Sequence, residues 1–133
     1  MNATSEAWAR PQTLAAVAAA ATSLDDFFPH LRDFLHAFKA APQLEKIDAE
    51  PHLLRSQFSG GERADAYLAA VAVELSLDLG RARPAWTRNP ERMLNEPWFA
   101  ARSDALRIVL LHESPAGFRE RNIFVSENAL SVA

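Results

Sequence analysis

Four histidines are the side chains that could bind a metal ion or move a proton near neutral pH, namely His30, His36, His52 and His112. Helical metal sites usually repeat histidine after four residues, with glutamate beside the first one in hydrolytic sites. No two histidines of this sequence have that spacing. His30 and His36 fall on the polar side of a predicted helix. We therefore expect surface histidines and no metal site.

The aspartates and serines that might suggest catalysis have structural explanations. Asp25 and Asp26 stand at a predicted helix start, where the helix dipole favours negative charge. Ser59 and Ser114 lack the Gly-x-Ser-x-Gly elbow of a serine nucleophile, and both stand where a helix cap is expected. The sequence contains no cysteine, which excludes disulfides, thiolate metal sites and cysteine nucleophiles. We expect no catalytic residue, no cofactor and no enzymatic activity.

The last third of the chain concentrates tryptophan, arginine and proline. Such aromatic and arginine side chains either pin loops onto a folded body or form the energetic centre of a protein–protein interface. Loop anchoring is the favoured interpretation, because most aromatic side chains are buried. Exposure at Trp86 and Trp98 would favour docking instead. The candidate partner-binding residues are Trp86, Trp98, Phe118, Arg119, Arg121 and Asn122.

Length and composition are those of one globular domain. The 133 residues include 49% hydrophobic and 23% charged side chains, which argues against disorder. Residues 1–80 carry 6 basic and 11 acidic side chains, a charge of −5, and residues 81–133 carry 8 and 6, a charge of +2. A DNA-binding domain usually has a larger basic excess, so nucleic acid is not the favoured partner.

An alanine-rich run at residues 14–21 raises the question of a signal peptide. The run is weakly hydrophobic, and the residues before it include Glu6 and the single base Arg10, so a helix is the better interpretation. No stretch approaches the roughly 18 apolar residues that span a bilayer. We expect a cytoplasmic protein with no membrane partner.

Capping residues and apolar spacing predict the helices of the N-terminal half. The first helix is expected from Pro11 to Thr22. Ser23 with Asp26 predicts the start of an amphipathic helix rich in phenylalanine, in which Pro29 should cause a kink or mark a later start. Short helices are predicted at residues 43–48 and after residue 51.

The helix predicted for residues 62–79 has apolar side chains on two opposite faces, which is typical of a helix buried between layers. Ser59 and Glu62 have the spacing of a capping box, and Gly80 is expected to stop the helix. This helix should therefore form the centre of the molecule.

Prolines divide the chain after Gly80 into short elements. Asn89 followed by Pro90 predicts about two helical turns through residue 95. Ser103 should cap a helix at residues 104–112, and its broad apolar surface predicts deep burial, although so short a run could also be a strand. Ser114 should cap a further helix through residue 121. Residues 123–125 should be extended, and Ser126 should cap a final turn.

We therefore expect an all-α, single-domain bundle of about five to seven helices over residues 1–133, with short helices and aromatic-pinned loops in the C-terminal third. Residues 1–10 are expected to be flexible. The predicted core residues are Leu31, Phe34, Leu68, Val71, Leu75, Leu106 and Leu110.

The C-terminal motifs resemble an uncharacterised family of small bacterial helical proteins. The similarity covers roughly residues 64–130 and includes PAWT at 84–87, EPWFA at 96–100, RIVLL at 107–111, SPAGFR at 114–119 and RNIFVS at 121–126. Members of that family are encoded near nucleotidyltransferase-like proteins that resemble toxin components. The resemblance implies an antitoxin-like or accessory role, and it identifies no catalytic residue.

These observations favour a non-enzymatic protein–protein interaction or regulatory module. Its partner would be another protein or a second copy of the chain. A nucleic-acid-binding regulator that uses the slightly basic C-terminal half is the first alternative. A small-ligand sensor is the second, although the sequence shows no convergent set of polar residues to line a pocket.

Overall fold

The computed structural model describes residues 10–131 and confirms an all-α fold. The expectation that residues 1–10 are flexible concerns residues that, apart from Arg10, lie outside this range. The six α-helices of this range are α1 (Leu14–Ala20), α2 (Leu24–Ala40), α3 (Glu45–Asp48), α4 (Gly61–Asp78), α5 (Asp104–Glu113) and α6 (Ala116–Arg119). Two 3₁₀ helices (Ala85–Arg88 and Pro90–Arg92) and two strands, β1 (Trp98–Phe99) and β2 (Ile123–Phe124), complete it. The strands pair in parallel, with Trp98 opposite Ile123.

Helix α4 is the centre of the molecule, as its two apolar faces predict. Every residue from 64 to 73 is buried. The helix packs against α2, α6 and both 3₁₀ helices. A helix with a single apolar stripe could cover only some of these neighbours. The two apolar faces of α4 allow it to pack against all of them.

The two ends of α4 differ in how well the sequence predicts them. Gly80 stops the helix as expected: it has φ +65°, and the amides of Gly80 and Arg81 donate to the carbonyls of Leu77 and Ser76. The predicted capping box at Ser59 is wrong. Gly60, at φ +84°, is the N-cap residue, and no side chain caps the helix.

The first two helices are close to their predicted positions. Helix α1 begins at Leu14 rather than near Pro11, because the Thr13 hydroxyl caps it by accepting a hydrogen bond from the Ala16 amide. Helix α2 has the predicted capping box between Ser23 and Asp26. Pro29 lies inside α2, so the alternative of a later start near this proline is wrong.

Three predicted elements are shorter than expected or absent. No helix follows Pro51, because two backbone amides of that segment donate to the buried carboxylate of Asp65 instead of forming helical bonds. The turns predicted after Asn89 reduce to one 3₁₀ helix, capped by the Asn89 side chain. The helix predicted to run through residue 121 ends at Arg119, and Ser114 does not cap it.

Ser114 has a different role from the predicted one. Its buried hydroxyl lies 2.6 Å from the Leu110 carbonyl oxygen and accepts a hydrogen bond of 2.8 Å from the Val125 amide. It thereby joins the last turn of α5 to the segment after β2. Residues 123–125 are extended as predicted, although only Ile123 and Phe124 form the strand. The hydroxyl of Ser126 accepts a bond from the Asn128 amide in the turn that follows.

Most predicted core residues are buried. Leu31, Phe34, Leu68, Val71, Leu75 and Leu110 are each at most 8% exposed. Leu106 is the exception, because its side chain projects from a helix that the rest of the described chain does not cover, and it is 57% exposed. The prediction of deep burial for residues 104–112 is therefore wrong.

Candidate protein-docking surface

The structure separates the six candidate partner-binding residues into two groups. Trp86, Phe118 and Arg121 are buried, so they cannot contact a partner on this folded surface. Trp98 and Asn122 are half-buried, and Arg119 is exposed. The candidates therefore do not form one exposed surface, and the three buried side chains pack within the molecule, as anchoring side chains would.

Trp86 anchors the first 3₁₀ helix to the core. Its indole nitrogen donates to the Ile47 carbonyl oxygen at 3.3 Å. The guanidinium of Arg92 lies over the indole at 5.0 Å from the ring centroid. The indole is 8% exposed, so its ring surface is used within the molecule.

Arg121, which follows α6 in the sequence, is a second anchor of the same 3₁₀ helix. Its guanidinium donates to the carbonyl oxygens of Thr87 at 2.5 Å and Gly117 at 2.9 Å. It also contacts the carboxylate of Glu120, which Arg83 reaches at 2.7 Å. Partial burial alone would raise the pKa of Glu120, but the bonds from the two arginines outweigh it and lower this pKa below its usual value.

The half-buried candidates also make contacts within the molecule. Trp98 lies in β1, and the guanidinium of Arg63 is 4.5 Å from the centroid of its ring. Asn122 has φ +63°, and its side-chain amide donates to the Leu94 carbonyl oxygen at 2.8 Å. This bond holds the asparagine in the left-handed conformation that begins β2.

Helix α5 exposes the large apolar side chains that the sequence predicts to be core. Leu106 and Ile108 are each 57% exposed, Val109 is 47% exposed and Leu111 is 44% exposed. Leu110 alone in this helix is buried. All residues from 102 to 109 are exposed, so the first two turns of α5 stand away from the body.

Local sequence explains why this segment is helical without being packed. The Ser103 hydroxyl accepts a bond from the Leu106 amide at 3.2 Å and caps the first turn, and Asp104 adds a favourable negative charge there. Buried Leu110 and Ser114 fix the last turn to the body. The helix is thus held at its C-terminal end.

The apolar side chains of α5 surround most of the helix. At 100° per residue, the side chains of residues 105, 106, 108, 109 and 110 cover an arc of roughly 200°, and Leu111 lies outside that arc. A helix that is apolar on nearly every side is normally buried. Since its own chain covers only Leu110, the composition of α5 fits a helix that another surface covers.

The base of α5 adds an aromatic stack and a cation. Phe99 of β1 and Phe124 of β2 stack with 4.7 Å between ring centroids. Arg107 of α5 lies over Phe99 at 5.6 Å and donates to the Ala101 carbonyl oxygen at 3.2 Å. An open cavity of about 830 Å³ is lined by residues 96–102 and Arg107. We call Leu106, Ile108, Val109 and Leu111, with Phe99 and Arg107, the α5 surface.

Sequence reasoning missed this surface because it treated apolar breadth as burial inside the same chain. The signal was present, since a capped helix of broad apolar character occurs in a segment that prolines and polar residues separate from the other helices. Within residues 10–131, no other part of the chain covers the exposed side chains of this helix.

A buried charge cluster was also missed. Asp65 of α4 accepts bonds from the Leu54 amide at 2.6 Å and the Arg55 amide at 3.1 Å. The Arg92 guanidinium, fully buried, lies 3.6 Å from Asp65, 3.1 Å from Glu50 and within bonding distance of the Pro51 carbonyl. Burial raises the pKa of Asp65, although these donors oppose it. The cluster joins the 51–55 segment to α4 and to the second 3₁₀ helix.

Two searches within the described residues concern other kinds of site. In residues 10–131, no group of three or more His, Asp or Glu side chains is arranged to hold a metal ion. Over the same range, no helix combines the length and the apolar character required to cross a membrane.

Comparisons with known proteins give no match: no protein-family model, no curated protein and no solved structure is significantly similar to this chain.

Proposed function

We propose that this chain is a non-enzymatic protein–protein interaction module that docks through the α5 surface. The proposal moves the docking site away from Trp86, Phe118 and Arg121, which are buried. The observation that carries it is the exposure of four large apolar side chains on one capped helix. Exposed apolar patches of this kind mark interaction sites in soluble proteins.

Burial of these side chains would contribute favourably to docking. Full burial of a leucine, isoleucine or valine side chain contributes about 1.5–3 kcal/mol. Each of the four side chains is roughly half exposed, so each one that a partner covers offers about half of that before the cost of association. Aromatic Phe99 and cationic Arg107 lie beside them and are residue types enriched at interface centres.

The biological role that we propose follows the resemblance of the C-terminal motifs, which implies an antitoxin-like or accessory protein of the bacterial cytoplasm. A nucleic-acid-binding role receives no comparable support, because the exposed part of α5 is mainly apolar and phosphate contacts require a basic surface. The small-ligand alternative has less support, because the charged residues that line the open cavity beside α5, Glu96, Arg102 and Arg107, are all exposed to solvent rather than buried around a ligand.

The experiment compares two large apolar residues that are similarly exposed but lie on different helices. Ile108 on α5 is 57% exposed and Leu77 on α4 is 61% exposed. Tagged wild-type chain, Ile108→Glu and Leu77→Glu are purified from cells that make the protein naturally, and stable associations, including those with untagged copies of the chain, are quantified by mass spectrometry.

We expect Ile108→Glu to reduce recovery of the associated protein at least tenfold, and Leu77→Glu to leave it unchanged. Circular dichroism checks that both variants stay folded. Equal recovery with both variants would contradict the docking role of α5, as would the absence of any association of the wild-type chain.

A further inference from the structure

We propose that the partner of α5 is α5 of a second copy of this chain, and that the two helices pack antiparallel around a two-fold axis near Ile108. This inference rests on the proposed docking role of the α5 surface and names its occupant. It follows from the direction in which the helix is exposed, from the self-complementarity of that face and from the size of the surface.

The outward face of α5 is centred on Ile108. The side chains of Leu110 and Arg107 contact the body of the molecule, and Ile108 lies about 160° from Leu110 and about 100° from Arg107 around the helix. Ala105 and Leu111 lie within about 60° of Ile108 on either side, at spacings of three residues. A helix that approaches from solvent therefore meets Ile108 first and these two residues beside it.

This outward face is complementary to itself when reversed. In an antiparallel pair centred on Ile108, residue 105 meets residue 111 of the other copy, and residue 104 meets residue 112. Small Ala105 then lies opposite large Leu111, so the helices can approach closely. A two-fold dimer repeats each of these contacts twice, because the same patch is used by both copies.

Charge favours the antiparallel direction over the parallel one. The antiparallel pair places the Asp104 carboxylate opposite the His112 imidazole of the second copy. The Nδ1 atom of His112 lies 2.9 Å from the Ile108 carbonyl oxygen, so Nε2 is the ring atom left for a contact across the pair. A parallel pair would place the two Asp104 carboxylates against each other, which is unfavourable.

The size of the surface predicts a weak, exchanging dimer. Helix α5 has 10 residues and is about 15 Å long. Standard interfaces bury about 800 Å² on each partner, and one pair of short helices lies below that size. We therefore expect a dissociation constant on the order of micromolar, with the face formed by Ala105, Ile108 and Leu111 as the greater part of the contact.

Single cysteines test the pairing directly, because the sequence has no cysteine of its own. A disulfide requires Cα atoms within about 7 Å, a separation that a residue on the two-fold axis satisfies with its own copy. We expect Ile108→Cys to form a covalent dimer on mild oxidation, and the exposed control Leu77→Cys to remain monomeric.

The direction of pairing is tested by Asp104→Cys. In the antiparallel dimer this residue does not meet its own copy, so the single variant should not cross-link, whereas Asp104→Cys combined with His112→Cys should. These two positions are about 12 Å apart within one helix, which excludes an internal disulfide. Efficient cross-linking of Asp104→Cys alone would overturn the antiparallel arrangement.

Sedimentation equilibrium of the full chain measures the strength of pairing. We expect Ile108→Glu to raise the dimer dissociation constant at least about 30-fold, since both copies lose an apolar contact, and Leu77→Glu to change it less than about twofold. A wild-type chain that stays monomeric to about 1 mM would overturn the second copy as the occupant.

The two proposals fail in different ways. A monomeric chain whose association with a different protein depends on Ile108 would overturn the self-pairing and support the docking role of α5. A dimer that Ile108→Glu leaves intact would overturn the self-pairing through α5. If the wild-type chain forms no dimer and has no association that depends on Ile108, both proposals are overturned.

Discussion

Replacement of Arg92 by methionine should destabilise the protein strongly, although Arg92 belongs to no candidate site. Its guanidinium is fully buried and lies between Asp65 and Glu50, with the Trp86 ring beside it. Methionine retains much of the apolar volume of the side chain. The substitution therefore removes the charge and its hydrogen bonds while leaving most of the packing.

The expected cost follows from what the substitution leaves behind. Asp65 keeps two backbone amide donors and the Arg55 side chain at 3.4 Å, but it loses the buried counter-ion. Removing one partner of a buried ion pair costs about 3–5 kcal/mol, because the remaining charge is uncompensated. Since Arg55 still offers partial compensation, we expect about 3 kcal/mol, or a fall in melting temperature of roughly 10 °C.

The assay is chemical denaturation followed by circular dichroism, in a double-mutant cycle with Asp65→Asn. We expect the double variant to lose at least about 1 kcal/mol less than the sum of the single variants, because the asparagine removes the orphaned charge. Arg88→Met serves as the control, since Arg88 is exposed on the neighbouring 3₁₀ helix and should change stability by less than about 0.5 kcal/mol. A cost below about 1 kcal/mol for Arg92→Met, or additive single effects, would refute this reasoning.

Three further predictions concern single positions. Gly61→Ala should lower the free energy of unfolding by more than about 3 kcal/mol, because an added Cβ would lie 1.9 Å from the Leu54 carbonyl oxygen. In Gly80→Ala the added Cβ meets no atom within 4 Å, so only the positive φ should cost stability, about 1–2 kcal/mol. Urea denaturation compares the two variants. Ser114→Ala should cost about 1–3 kcal/mol by leaving a buried backbone amide unpaired, and hydrogen exchange should show faster opening at the end of α5. Glu120→Gln should remove a small, salt-sensitive stabilisation. The wild type has this stabilisation above the ordinary glutamate pKa and loses it as pH falls through the lowered pKa of folded Glu120. Plots of unfolding free energy against pH for the two proteins should therefore converge in acid, and plots that stay parallel would contradict this.

The helical core was predictable because its sequence signals are local and agree with one another. Ser23 and Asp26 form the expected capping box, and the phenylalanine and leucine spacing of α2 matches its buried face. In α4, apolar residues on two faces predict burial between layers, and residues 64–73 are all buried. Spacing of three and four residues specifies such faces without reference to distant parts of the chain.

The connections were harder to predict because distant side chains determine them. The 51–55 segment is not helical, since Asp65, ten or more residues away in sequence, binds its amides. Ser114 was predicted as a helix cap, yet its hydroxyl contacts Val125. A serine next to a proline has the same local sequence in both arrangements, so only the tertiary contact distinguishes them.

Helix α5 shows that apolar patterning predicts a helix without establishing that its own chain buries it. The sequence correctly predicts the helix and its Ser103 cap, but the predicted deep burial is wrong, since Leu106 is 57% exposed. A broad apolar helix in a chain with an otherwise complete core has no reason to be selected for monomer stability, because exposed leucines contribute little to it. Its composition is explained if burial occurs on association. The substitution Ile108→Glu should therefore reduce association far more than it reduces the stability of the monomer. A monomer that unfolds on this substitution would show that α5 belongs to the core after all.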